Sequence, residues 1–135
     1  MNDAVLIHTS LERLAESGVD IVPAVYQHFF AACPSAATLF VSREAQAAQG
    51  KMLNELVKTV LDLLDDQPYL PTVLRTMASD HDSWGATLPM YAAFLQAFRT
   101  VLLDTLQESE SSDTALAWQR QLDAVMVQVR EALQA

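Results

Sequence analysis

The chain has 135 residues, 51% of them hydrophobic, and 17 acidic against 8 basic side chains give a formal net charge of −9. At this length a globular chain buries about two-thirds of the surface its unfolded form exposes, enough for one core without disulfide or metal staples. With 5 prolines and 3 glycines, collagen-like and linker-like readings are excluded. A surface this acidic is repelled by phosphate backbones and anionic lipid, so neither nucleic acid nor a membrane is an expected partner. Cys33 has no second cysteine to pair with and no CxxC spacing, which points to a reducing compartment. No basic leader precedes the first apolar run, and no 18 apolar residues occur consecutively. The expectation is a cytoplasmic protein with a single domain over residues 1–135.

No Asn-Gly or Asp-Gly turn joins alternating apolar runs, so the chain reads as all-α. The first helix is expected over about 3–16, with Leu6, Leu11, Leu14 and Ala15 on one side and Gly18 ending it in the left-handed conformation. Asp20 caps the second helix, Pro23 falls in its first turn, and Val25, Phe29 and Phe30 follow at helical spacing. Pro34 starts a shorter turn that ends at Leu39 and Phe40. A single long helix is expected over 42–66, opened by Ser42 and Glu44 and carrying Leu53, Leu56, Val57, Val60, Leu61 and Leu64 on one face. A shorter helix over about 70–83 turns Val73, Leu74 and Met77 inward and ends before Gly85. Thr87 caps the next, which has Pro89 in its first turn and runs through Tyr91, Phe94 and Phe98 to about Leu106. Residues 107–112 form a polar loop, and a last helix over about 113–133 presents Leu116, Ala117, Leu122, Val125, Met126 and Val129.

Hydrolase triads, a P-loop and HExxH are all missing from the sequence. His8, His28 and His81 are too scattered for a zinc site when only one cysteine is available. Taken singly, the residues read blandly: Phe40 as core, Tyr26 as a core ring with its hydroxyl at the surface, Gln49 as helix surface, Trp84 and Trp118 as packing, and Cys33 as a small buried hydrophobe.

Taken together and in order they resemble a globin. The resemblance runs from about Ile21 to about Val129 and rests on Val25-Tyr26-Gln27-His28-Phe29-Phe30, Pro34 and Leu39-Phe40 for the second helix and the corner after it. Gln49-Gly50-Lys51-Met52-Leu53 resembles the distal helix, Leu70 through His81 to Gly85 and Tyr91 the proximal helix and its exit, and Ala117-Trp118 the opening of the final helix. The pattern is most similar to the single-domain bacterial haemoglobins and the globin domain of flavohaemoglobins. The resemblance implies a globin fold of about six to eight helices around haem b (iron protoporphyrin IX), with His81 the iron ligand and Phe40, Leu53, Met77 and Tyr91 also cofactor-binding. Phe40 would pack on the haem face, Met77 would be a wall of the pocket, and Tyr91 would stand behind His81. Tyr26 and Gln49 would be the distal pair facing a diatomic gas.

Elementary chemistry agrees with those roles. Ferrous haem needs one strong axial nitrogen and an open opposite side. A phenol O–H from Tyr26 and an amide N–H from Gln49 can each donate to a ligand that gains partial negative charge. Gln49 and Leu53, four apart, share one face of a helix.

The implied function is reversible binding of O2, and of NO or CO, for oxygen transport or NO detoxification. The chain stops where a flavohaemoglobin would continue into flavin and nicotinamide domains, so NO dioxygenation would need a separate reductase, and no autonomous enzyme is assigned. Either a monomer or a homodimer is compatible. The subgroup also pairs its proximal histidine and tyrosine with a glutamate on the last helix; Glu131 falls about one turn early for that role, and Asp80 and Asp82 flank His81 as surface acids. A short corner after Phe40 leaves Gln46 or Gln49 to face the iron, and Met52-Leu53 favour Gln49. Two further readings stand beside these, a haem-free globin-fold regulatory module and a plain helical interaction domain.

Overall fold

A computed structural model describes residues 2–134, which form eight α-helices and one 3-10 turn, with no strand among the described residues. In α1 (Asp3–Ser17) the Asn2 side chain accepts the Val5 N–H at 2.9 Å, and Gly18, at φ 70°, closes the helix with its N–H on the Ala15 carbonyl. That left-handed position is the one a glycine occupies without a Cβ clash. The buried face differs from the one expected. Ile7 and Ser10 point inward, the three leucines are half-buried and Ala15 is exposed, because α1 lies against both α8 and α7.

The Asp20 carboxylate accepts the Val22 N–H at 3.1 Å, one residue ahead of the N-cap of α2 (Val22–Ala32), where Pro23 sits without a donor to lose. Then come α3 (Pro34–Ala37) and a 3-10 turn, Thr38–Phe40. Cys33, expected buried, is half-buried, with Sγ 3.6 Å from the Ser35 hydroxyl.

The single helix expected over 42–66 is two. The Ser42 hydroxyl caps α4 (Arg43–Ala47) by accepting the Ala45 N–H, and the chain turns at Ala48 before α5 (Gln49–Leu64). No residue of α4 is buried, so no core contact holds it in line with α5. Leu53, Leu56 and Val60 carry the buried stripe of α5, while Val57, Leu61 and Leu64 are half-buried.

In α6 (Leu70–Ser83) the inward stripe is Leu70, Leu74 and Ala78, and Val73 is exposed instead of inward. Thr87 precedes α7 (Leu88–Leu106) at the expected place, yet its side chain caps nothing; its carbonyl accepts the N–H groups of Met90 and Tyr91. Helices α6 and α7 meet at 113°, and no single described helix is long and apolar enough to cross a membrane. The loop over 107–112 leads to α8 (Asp113–Gln134), where Leu116 is exposed and Trp118 takes a fully buried place in the core.

Helix α2 packs along α7, and α8 is the common support of α1, α6 and α7. Phe98 and Trp118 meet edge to face at 5.3 Å in the centre. The Trp118 indole N–H donates to the Ser10 hydroxyl at 2.8 Å, which donates in turn to the Ile7 carbonyl. Arg99, buried on α7, donates to the Ala115 carbonyl and at 2.6 Å to Glu110, fixing the start of α8. These pairings satisfy the polar atoms that the core encloses, and no buried side-chain nitrogen or oxygen lacks a partner among the described residues.

Candidate functional site

Tyr26 projects from α2 into a cluster of rings. Its centroid is 5.4 Å from Phe40 and from Phe94, 5.8 Å from Phe30 and 6.2 Å from Phe29. Burial pushes its phenol well above the ordinary tyrosine range, so it is a protonated donor at any physiological pH. Its hydroxyl donates to the main-chain carbonyl of Gln49 at 3.0 Å, which ties α2 to the first turn of α5. Phe40 is half-buried against Tyr26, and Leu53, one turn beyond Gln49, is buried. Gln49 is half-buried while Gln46 is exposed. Tyr26, Phe40 and the start of α5 are thus brought together by two tight chain turns, at Pro34 and at Ala48.

A second group gathers at the end of α6. The Nδ1 of His81 is 2.8 Å from the carbonyl oxygen of Met77, one helical turn earlier. A carbonyl only accepts, so Nδ1 is the donor, and in the neutral ring that places the lone pair on Nε2. The imidazole is flanked by Trp84, with centroids 5.1 Å apart, and by Tyr91 at 5.9 Å. Trp84, expected as a packing residue, is 62% exposed, because Gly85 at φ 88° turns the chain out of α6 immediately after it. The Tyr91 hydroxyl reaches the Met77 sulfur at 3.6 Å, and burial, with the Asp82 carboxylate nearby, pushes its phenol up to about 12. Asp80, Asp82 and Glu131 are exposed.

Among the described residues no three or more His, Cys, Asp or Glu side chains are grouped to hold a metal ion. One imidazole with a free Nε2 fits a metal whose remaining ligands arrive with it, as in a metalloporphyrin. The half-buried Tyr91 and Met77 and the exposed indole of Trp84 beside it offer apolar surface that suits a flat hydrophobic macrocycle. Two open clefts, about 280 Å³ beside Gln96 and Arg130 and about 190 Å³ beside Asp62 and Pro68, contain no histidine or tyrosine and lie apart from this chemistry.

The globin family model matches residues 23–129, which cover α2 through most of α8. The chain belongs to the globin family. In this globin, α1 precedes the matched region, α5 carries the distal candidates Gln49 and Leu53, and α6 carries the proximal candidate His81. The residue that sequence reasoning undervalued is Met77. The signal was present in its i, i+4 spacing from His81, which in a helix sets a carbonyl beside the side chain four residues on.

Proposed function

We propose that this globin binds haem b through His81 and takes up a diatomic gas, O2 with NO or CO as alternatives, on the side of Tyr26 and Gln49. The observation that carries the reading is the bond from His81 Nδ1–H to the Met77 carbonyl, which holds the ring in one orientation and, in the neutral imidazole, leaves Nε2 as the nitrogen with the lone pair. Haem, when bound, would be held by His81 and would supply the iron to which the gas binds. Phe40 and Leu53 present apolar surface that keeps water away, Met77 lines the histidine side, and Tyr91 stands behind it. Tyr26 holds its proton on the Gln49 carbonyl and has to swing that proton toward an incoming ligand with partial negative charge; the Gln49 amide is a second donor on the same helix start.

Oxygen binding or transport is the role that needs nothing further. NO detoxification requires an electron donor for the iron, and the net charge of −9 suits a reductase with a basic face. The acidic chain with one cysteine is read as cytoplasmic.

The deciding experiment is the visible spectrum of the recombinant protein supplied with haemin, as ferric, reduced, and reduced plus CO. A five-coordinate ferrous spectrum that shifts with CO supports the reading. A six-coordinate one keeps haem and assigns the gas position to an internal ligand. Failure to take up stoichiometric haem replaces the reading with that of a haem-free globin module.

A further inference from the structure

The outward face of α8 carries two opposite charges that form no ion pair within the chain. Asp123, Val127 and Arg130 stand at i, i+4 and i+7 on one stripe of the helix, and all three are exposed, Val127 by 47%. Asp123 accepts a hydrogen bond from the Gln119 amide. Arg13, Lys58, Arg99 and Arg120 each hold a carboxylate, whereas Arg130 forms no ion pair among the described residues. Seven residues separate Asp123 from Arg130, about 10 Å along the axis. Beside this stripe Ala92 and Gln96 of α7 border the open cleft of about 280 Å³, whose other wall is Asp123, Met126, Val127 and Arg130. The short side chain of Ala92 leaves room there for side chains arriving from outside the molecule.

We propose that this face docks a second copy of the chain, the two α8 helices lying antiparallel about a twofold axis that passes between Met126 and Val127. The positions of the charges fit that symmetry. Asp123 stands as far before this midpoint as Arg130 stands after it, so a twofold rotation sets each Asp123 against Arg130 of the second copy and makes the same ion pair twice. Val127 then meets Met126 of the second copy at the centre, beside the clefts of both molecules. A parallel pairing would set Asp123 against Asp123 and Arg130 against Arg130, and the repulsion excludes it. An isologous contact needs a patch that complements itself under rotation, and this patch does so, which favours a second copy over an unrelated partner. With 22 residues α8 is about 33 Å long. A helix face of that length and roughly 10 Å width offers on the order of 300 Å², and even with the edge of α7 it falls below the about 800 Å² per partner of a standard stable interface. The net charge of −9 adds repulsion between copies. The dimer is therefore weak and reversible, and its two ion pairs set register more than strength.

The proposal does not depend on haem uptake, so its failure and that of the gas-binding reading are separate results. Sedimentation velocity of the wild-type protein at up to about 1 mM is expected to show a monomer–dimer equilibrium. Val127→Asp, Asp123→Arg and Arg130→Asp, each at an exposed position, are expected to raise the dissociation constant at least about tenfold while circular dichroism and the melting midpoint stay unchanged. Twofold pairing then dictates two rescues. The double variant Asp123→Arg with Arg130→Asp keeps the net charge of −9 and is expected to associate like the wild type. An equimolar mixture of the two single charge variants is expected to form a mixed dimer, because every arginine at 123 or 130 then faces an aspartate. A wild type that stays monomeric, a dimer indifferent to these substitutions, or charge variants that do not associate when mixed would overturn the proposal.

Discussion

The hydroxyl of Tyr26 on α2 lies 3.0 Å from the main-chain carbonyl oxygen of Gln49, at the start of α5, and donates its proton there. The bond ties the position of α5 to the side chain that the proposed function assigns to the gas. One phenol proton makes one strong bond at a time, so under that proposal ligand recognition and the closure of α5 on α2 compete for it.

Tyr26→Phe separates the two uses. Loss of a buried neutral hydrogen bond costs about 1 kcal/mol of stability, which a denaturant melt reads. Under the proposed function the same change speeds O2 release about tenfold, the equivalent of about 1.4 kcal/mol. Stopped-flow displacement of O2 by CO checks this; an unchanged off-rate shows that the ring does not serve the ligand.

His81→Gly is expected to abolish stoichiometric haem retention and to leave the helical circular dichroism intact, because the side chain is only half-buried. Added imidazole should restore part of the absorbance. Retention equal to wild type would remove His81 from the ligand position.

Trp118→Phe tests the joint between α1 and α8. The substitution leaves a gap in a fully buried site and removes the indole donor to Ser10. A loss of about 1–3 kcal/mol is expected in a urea melt. Ser10→Ala, which leaves the indole N–H unpaired, should cost a similar amount.

Gln107 ends α7 at φ 57°, a left-handed position held by a residue with a Cβ. Gln107→Gly relieves that strain, and after the added chain entropy of glycine the net gain is about 0.5 kcal/mol. A raised midpoint of thermal unfolding is the readout.

Three ion pairs set the acid side of the pH dependence of stability. Arg120 holds Asp3, Lys58 holds Asp62 and Arg13 holds Glu108 below the ordinary carboxylate range, chiefly by direct hydrogen bonds. A carboxyl group whose folded pKa is lowered contributes stability above its unfolded value, and that contribution is lost as pH falls through the folded one. Unfolding free energy should therefore be flat from about pH 5 to about pH 9 and decline below about pH 4; the phenols of Tyr26 and Tyr91, raised by burial, add a decline above about pH 10. The three pairs lie at the surface and each is small, so 0.5 M salt should flatten the decline. Asp3→Asn should remove part of it.

The helices were legible because their boundaries are written in local chemistry: Gly18 at a left-handed end, Pro23 and Pro89 in first turns, Ser42 on an N-terminal amide. Which face each helix buries was less legible, since that depends on partners far along the chain. Ile7 and Ser10 took the inward side of α1 because Trp118 waits there, more than a hundred residues away. The turn at Ala48 escaped notice because alanine propensity favours continuing the helix, and only the lack of any buried residue in α4 explains the break. At the candidate site, the order of Tyr26, Phe40, Gln49, His81 and Tyr91 could be read from sequence, whereas the contact of the Met77 sulfur with Tyr91 needed the 113° bend between α6 and α7.

The pairing of Ser10 with Trp118 also bears on how the chain is made. Residues at 10 and 118 meet only after a ribosome has delivered α8, so until then the Ile7 face of α1 has no permanent neighbour on that side. A nascent globin of this sequence keeps that face exposed and open to chaperones until α8 emerges, and the arrival of α8 ends the exposure.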